Sequence, residues 1–453
     1  MNAPDSSVAA AGARARARFE EWAAQIGRAL EPGERYAANY AGEATDFVRM
    51  NRGRIRQAGS VEQHALAIRL VRGARHAEHA VELTGMADDD RRAIAAAVAG
   101  LRALLPDIDD DPHLLLPDRV ADTAHESGTG LPPSERVVDE ILTAAHGLDL
   151  VGFYAAGPVW RAHANSDGQR NWHAATTFNL QWSLYDRGDK AVKSSYAGFA
   201  WDPAEWMRRM ATARERLALV ARPSRALVPG AYRAYLAPAA LEEIVGLLGW
   251  GGFSGRALAT RQSPLTRMQD GERLSAEVTI DEDMSAGVAP AFQSDGFTRP
   301  DRVALVRAGA LAGSLVSPRT AREFSLVANG ANGGESPESL AMAGGALAAD
   351  RAIEALDTGL AIGNLWYTNY SDRPACRITG MTRFATFWVE RGRIVAPVDP
   401  LRFDDTIYRM LGSNLEALTR ETELLLSAES YGSRQLAGPR LPGALLRELR
   451  FTL

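Results

Sequence analysis

The stretch that most limits what this chain can fold into runs from Gly359 to Phe403, GLAIGNLWYTNYSDRPACRITGMTRFATFWVERGRIVAPVDPLRF. It carries three strand signals around two specialised turns. Leu360 to Tyr370 is apolar and aromatic with no charge, which suits a strand buried on both faces or an inner wall. Arg383 to Glu390 alternates, with Phe384, Thr386 and Trp388 on one face and Ala385, Phe387 and Val389 on the other. Glu390-Arg391-Gly392-Arg393 then predicts a tight hairpin turn, because Gly392 takes positive φ at little cost. Ile394 to Val398 is the returning strand, and it stops at Pro400. This part of the chain is committed to antiparallel sheet.

The rest of the chain reads as helices bordering similar sheets. Val8 to Leu30 has Phe19, Trp22, Ala23 and Ile26 at helical spacing and ends before Pro32. From Arg35 the period falls to two. Tyr36–Tyr40, Asp46–Met50, Arg54–Gln57 and Val61–Val71 read as short strands parted by Gly42, Gly53 and Gly59, and Arg75–Leu83 as a further one. Asp88-Asp89-Asp90 opens a helix through Leu105, its acids matching the positive end of the dipole. Pro106 to Pro133 is rich in Asp, Pro and Gly and reads as a connection. A helix over Ser134–Leu148 follows, then strands over Val151–Ala164, Arg170–Tyr185 and Ala191–Trp201, and an Arg-rich helix over Pro203–Ala221. The pattern is α+β, with mostly antiparallel sheets and edge helices. It divides into three units: an N-terminal α+β domain over 1–110, a central α+β domain over 111–222 and a C-terminal domain over 223–453.

A length of 453 residues supports several sizeable cores. With 51 basic against 56 acidic residues the net charge is −5, so no global basic field invites nucleic acid. Lys190 and Lys193 are the only lysines, a bias that codon composition explains as well as function does. Cys376 is the sole cysteine, which rules out an intrachain disulfide and a four-cysteine metal site. The N-terminal stretch lacks the continuous apolar core of a signal peptide, and no apolar run is long enough to span a membrane. These features predict a soluble, cytoplasmic protein.

The order NLWYTNY, ITGMTR, TFWVE-G-I-PV and RF-D within the opening stretch resembles the C-terminal domain of the TldD/TldE (PmbA) metalloprotease family. Two further segments agree in collinear order, YAGEATDFVRMNRGRIRQAG at Tyr40–Gly59 and SAESYGSRQLAGPRLP at Ser427–Pro442. The resemblance implies a multi-domain fold and, in the catalytic branch, a helix bearing HExxxH, whose histidines hold zinc and whose glutamate is the general base. The matching stretch here, YLAPAALEEIVGLLGWGGFSG at Tyr235–Gly255, has no histidine. The eight histidines are His64, His76, His79, His113, His125, His146, His163 and His173, so none lies in the C-terminal unit. A cysteine near the C-terminus also helps bind metal in the catalytic branch, and Glu429–Arg434 has none. No catalytic residue, metal ligand or cofactor is therefore assigned to this chain.

The remaining candidates each have a plainer account. Glu242 and Glu243 lie on the helix that would bear the motif, and they read as solvated helix-face acids rather than a relic base. His76, Glu78 and His79 suggest a weak metal site, yet on a strand the two histidines point to opposite faces. Cys376 beside Arg377 lacks a positioned base and reads as a structural thiol. Gly249, Gly251, Gly252 and Gly255 form a turn after a helix, with no lysine to make a phosphate loop. Asn329–Gly334, NGANGG, reads as a flexible loop. For substrate, the candidates are Asn364, Trp366, Tyr367, Arg383 and Trp388, aromatics beside strand backbone that an extended peptide could join, with Arg383 to receive a carboxylate. The competing account is that the aromatics are core and Arg383 pairs internally.

The resemblance implies a TldE-like, zinc-free subunit of a heterodimeric metallopeptidase acting on small, unfolded or modified precursor peptides. This chain would contribute chamber wall and docking strands, and a TldD-like HExxxH partner would supply zinc and general base. The alternative is a stand-alone homodimeric binding or scaffold protein that keeps the fold without proteolysis.

Overall fold

The computed structural model describes residues 5–128, 130–188 and 190–452. Helix α1 (Asp5–Arg28) buries Phe19, Trp22, Ala23 and Ile26, the side chains whose spacing predicted it. Each large one removed from water contributes about 1.5–3 kcal/mol. Beneath it run β1 (Glu34–Asn51) and β2 (Arg54–Arg72), two long strands rather than four short ones. Gly53 is in the turn as expected, but Gly42 and Gly59 lie within paired strands. Gly42 marks a close approach: a Cβ there would meet the Tyr40 hydroxyl at 2.2 Å, so the absence of a side chain lets the Tyr40 ring lie along the strand. Glycine here makes room for an aromatic instead of ending the strand.

The chain continues through β3 (Arg75–Leu83), α2 (Ala87–Leu104), β4 (Thr123–Ser127), α3 (Ser134–Ala144), β5 (Asp149–Asn165), β6 (Arg170–Tyr185), β7 (Ala191–Gly198) and α4 (Pro203–Val220). All seven strands form one sheet in the order β3-β2-β1-β5-β6-β4, with β7 also on β6. The boundary drawn at 110/111 therefore falls inside a single sheet, and the segments 1–110 and 111–222 are its two halves. What joins them is β1 against β5, paired antiparallel from Ala37↔Asn165 to Met50↔Gly152. A pairing between residues over a hundred positions apart leaves no local trace in sequence. Gly157 sits at its one interruption with φ of 139°, where a Cβ would lie 2.1 Å from the Ala44 carbonyl oxygen. The strand β4, in a stretch read as a connection, is short and pairs parallel to β6.

The C-terminal part begins with β8 (Gly230–Leu236) and α5 (Pro238–Leu248). It then adds β9 (Ile280–Asp283), β10 (Arg302–Arg307), β11 (Ala310–Leu311), β12 (Leu340–Met342), β13 (Gly359–Asp372), β14 (Arg377–Glu390), β15 (Arg393–Pro397), β16 (Arg402–Thr406), β17 (Leu415–Leu424) and β18 (Arg440–Phe451). These make an eleven-stranded, mostly antiparallel sheet. The pairings β8–β13, β13–β14, β14–β16, β16–β18 and β18–β8 close on themselves, so five strands form a ring without free edges. Leu241, Ile244, Val245 and Leu248 of α5 are buried in the core of this part. The β14–β15 turn is as the sequence predicts, with Arg391 at φ 51° and Gly392 at φ 70°. β13 is not buried throughout: its first residues are core, whereas Trp366 and Tyr367 are exposed.

The loop between β17 and β18 is inserted against the N-terminal sheet. The Arg434 guanidinium donates to the carbonyl oxygens of Gly157 at 3.0 Å and Thr177 at 2.7 Å, and its backbone N–H donates to Glu43 Oε1 at 3.2 Å. Asn179 Nδ2 donates to the Leu426 and Ser427 carbonyls at 2.9 and 2.8 Å. Thus Tyr40–Gly59 and Ser427–Pro442, far apart in sequence, meet at Glu43 and Arg434. Among the described residues, no helix is long and apolar enough to cross a membrane.

Candidate functional site

A trough lies where the ends of β1, β5, β6 and β7 face α5 and the 427–439 loop. It consists of two cavities of 630 and 670 Å³ that share Gln181, Lys193 and Ala428. Arg49 and Arg56 of the β1–β2 hairpin line the first, and Glu242, Glu243 and Glu429 line the second. The Asn179 and Arg434 bonds fix the loop that supplies Ala428, Glu429 and Ser430, so the floor is anchored to the sheet.

The two α5 acids are not ordinary solvated residues. Burial pushes the Glu242 carboxyl up to about 7, with repulsion from Glu243 adding to it and Lys193 opposing. Glu243 accepts a hydrogen bond from Thr368 Oγ1 at 2.9 Å, which ties α5 to β13. The apolar run around them gave the helix, but which face the neighbouring sheet would cover was invisible in one dimension. The position of Lys193 was equally hidden, since a codon-level account of the two lysines gave no reason to single it out.

The raised value has a consequence for stability. Between about pH 4.5 and 7 the folded state keeps a proton on Glu242 that the unfolded chain has lost, so this group makes the protein less stable as pH rises through that window. The full shift corresponds to roughly 3 kcal/mol, reduced to about 2 for the part of the side chain that water reaches. Glu242→Gln is therefore expected to raise stability at pH 8 by about 2 kcal/mol and to leave it nearly unchanged at pH 4.5. Urea melts at the two pH values check this; an equal effect at both would refute it.

The trough does not fit zinc. Zinc is held by several convergent imidazole, thiolate or carboxylate groups, whereas the carboxylates of this lining have the Lys193 cation among them, and among the described residues no three His, Cys, Asp or Glu side chains are placed to hold a metal ion. Cys376 is elsewhere, fully buried, and burial pushes its thiol up to about 12, which suits an inert core residue. His76 faces Asp111 at 3.3 Å while Glu78 pairs with Arg69 at 3.0 Å, so His76, Glu78 and His79 do not converge. The NGANGG loop is pinned rather than flexible: Asn329 donates to the Ser314 carbonyl at 2.7 Å and accepts from Val316 N at 2.9 Å.

The five residues singled out for substrate are dispersed. Tyr367 lines the acidic end of the trough, while Trp366 and Arg383 line a neighbouring cavity of 160 Å³ with Phe384. Register shifts between β13 and β14 accompany φ of 57° at Tyr367 and 56° at Phe384. Such bulges re-aim side chains, and here both Trp366 and Tyr367 project outward with ring centroids 4.7 Å apart. Arg383 lies 4.0 Å from the Trp366 centroid and 5.0 Å from that of Phe384, with no acid partner among the described residues. Asn364 is buried. Trp388 is engaged by Glu390, which accepts its indole N–H at 2.6 Å, and by Arg225, 4.6 Å from its ring.

Residues 229–452 match the family model described as the PmbA/TldA metallopeptidase C-terminal domain. The whole chain is similar in fold to TldE from Thermococcus kodakarensis, at 14% identity and a TM-score of 0.74, over 96% of this chain and 100% of that one. It is also similar to a candidate modulator of a DNA gyrase from Thermotoga maritima MSB8, at 14% identity, TM-score 0.73 and the same coverage. A counterpart from Bacteroides thetaiotaomicron VPI-5482 gives 14%, a TM-score of 0.71, and coverage of 96% and 98%. At this identity the likeness is one of fold. Among curated proteins, no sequence matches the chain.

Proposed function

Because this chain belongs, through its C-terminal domain, to the PmbA/TldA metallopeptidase family, we propose that it is the zinc-free subunit of a heterodimeric peptidase acting in the cytoplasm. The observation that carries this reading is α5. It stands after β8 where the catalytic branch places its zinc helix, yet it presents Glu242 and Glu243, and no histidine follows His173 anywhere in the chain. This subunit then contributes wall and docking surface for small, unfolded or modified peptides, and an HExxxH-bearing partner contributes zinc, general base and activated water. The outward aromatics Trp366 and Tyr367, 45% and 73% exposed, offer an apolar surface of the kind a partner covers.

Purified alone, the chain is expected to hold no stoichiometric zinc and to cleave no peptide. Co-purified with its cognate HExxxH homologue, the pair is expected to hold one zinc per heterodimer and to gain peptidase activity that neither chain has alone. Absence of any gain on mixing overturns the proposal in favour of a stand-alone scaffold.

A further inference from the structure

The two ends of the trough differ in charge more sharply than the chain's balanced composition requires. The first cavity is lined by Arg49, Arg56 and Lys193 and by no acid. The second is lined by Glu242, Glu243 and Glu429 and by no arginine, Lys193 being the one cation common to both; its remaining acid, Glu338, is held by Arg299 at 2.7 Å. Among the described residues, Arg49, Arg56 and Lys193 make no ion pair. Their charge is free for a ligand.

This polarity narrows what can lie there. A polyanion such as a nucleic acid strand is favoured at the arginine end and repelled at the glutamate end, and a polycation meets the reverse. A ligand with one carboxylate and one ammonium at opposite ends satisfies both, and the simplest such molecule is a short peptide with free termini. The two cavities together exceed the roughly 300–1,000 Å³ of a site for one small molecule, which leaves room for several residues. We propose that the trough binds a short peptide by both ends at once, with its C-terminal carboxylate at Arg49 and Arg56 and its N-terminal ammonium at Glu242, Glu243 and Glu429. Guanidinium suits the first task because it meets a carboxylate with paired N–H donors. Lys193 lines both cavities and so marks their junction. This assignment deepens the function proposed above, on which it rests only in taking a peptide as the substrate.

The test uses the purified full-length chain and a hexapeptide of alanine, glycine and serine in three forms: free, C-amidated and N-acetylated. Calorimetric titration is expected to show each cap weakening binding about tenfold, equivalent to ~1.4 kcal/mol. In R49Q/R56Q the amidated and free forms should bind alike while the acetylated form stays weaker. In E242Q/E243Q the pattern should be reversed. Melting curves establish that both variants fold. Equal affinity of all three forms for the unaltered chain, or no binding at all, overturns the proposal. So does a doubly capped hexapeptide with internal aspartate and lysine that binds as tightly as the free one. None of these outcomes depends on a zinc-bearing partner, so failure here and failure to gain activity on mixing are read separately.

Discussion

Arg434→Ala is expected to lower the unfolding free energy by about 3–5 kcal/mol, the cost typical of removing one member of a buried charged network. Arg434 is 3% exposed, and burial pulls its guanidinium down to about 10, so the fold holds this cation against a real desolvation cost. Its bonds to the Gly157 and Thr177 carbonyls are what offset that cost. Without them two buried acceptors lose their donor, and Glu43, 2% exposed, loses one of its countercharges. Arg434→Met keeps much of the volume but none of the donors, and is expected to cost nearly as much. Denaturant midpoints measure the loss, and limited proteolysis should show new cleavage within residues 427–439. A shift under about 1 kcal/mol would mean that water replaces the guanidinium at no penalty, contrary to the buried network described.

Acid is expected to weaken the N-terminal sheet through two histidines. His163 and His173 are 0% and 1% exposed, and burial lowers them to about 4 and about 3; His125, stacked on His173 with centroids 5.4 Å apart, lowers the latter further. The charged groups facing them are Asp295, Arg69 and Arg170 at His163, and His125 and Arg161 at His173. An unfolded histidine takes up its proton near pH 6.5, whereas these two stay neutral. Their contribution is therefore complete above about pH 6.5 and is lost as pH falls from there to the folded values of about 4 and about 3, on the order of 3 kcal/mol for His163 and 5 kcal/mol for His173. His163 already uses Nδ1 with Asn39 Oδ1 at 2.9 Å, and its Nε2 has no partner among the described residues. The double variant H163Q/H173Q should unfold at a lower pH than the unaltered chain, followed by tryptophan fluorescence, since Trp160, Trp172 and Trp182 lie in the same sheet. An unchanged acid midpoint would show that carboxylates alone govern it.

Local patterns carried a large part of the fold. β3 and β6 run over the residues that alternation assigned, Arg75–Leu83 and Arg170–Tyr185, and the β14–β15 turn follows from Gly392. What alternation could not carry was partnership between distant strands. β1 paired with β5 turns two expected domains into one sheet, and Tyr40 over Gly42 turns an expected break into continuous strand. The site was less legible for the same reason. Glu242 was found as a residue but misread as solvated, because its burial comes from elements remote in sequence, and Arg49, Arg56 and Lys193 carry no motif at all. Trp366 and Arg383 were legible only as separate candidates, and their stacking comes from the β13–β14 pairing, whereas Trp388 turned out to be occupied by Glu390 and Arg225.

The Arg434–Glu43 contact spans 391 positions, which gives the molecule an order in time as well as in space. A ribosome delivers Glu43 and the whole N-terminal sheet long before it delivers Arg434, and domains generally fold as they emerge. During that interval the sheet holds a buried carboxylate and two carbonyls awaiting their donor, and the trough has walls but no floor. A chain whose synthesis stops short of residue 434 would keep this defect permanently. The loop that floors the trough therefore reaches the sheet only once residue 434 has been made, long after the strands that receive it.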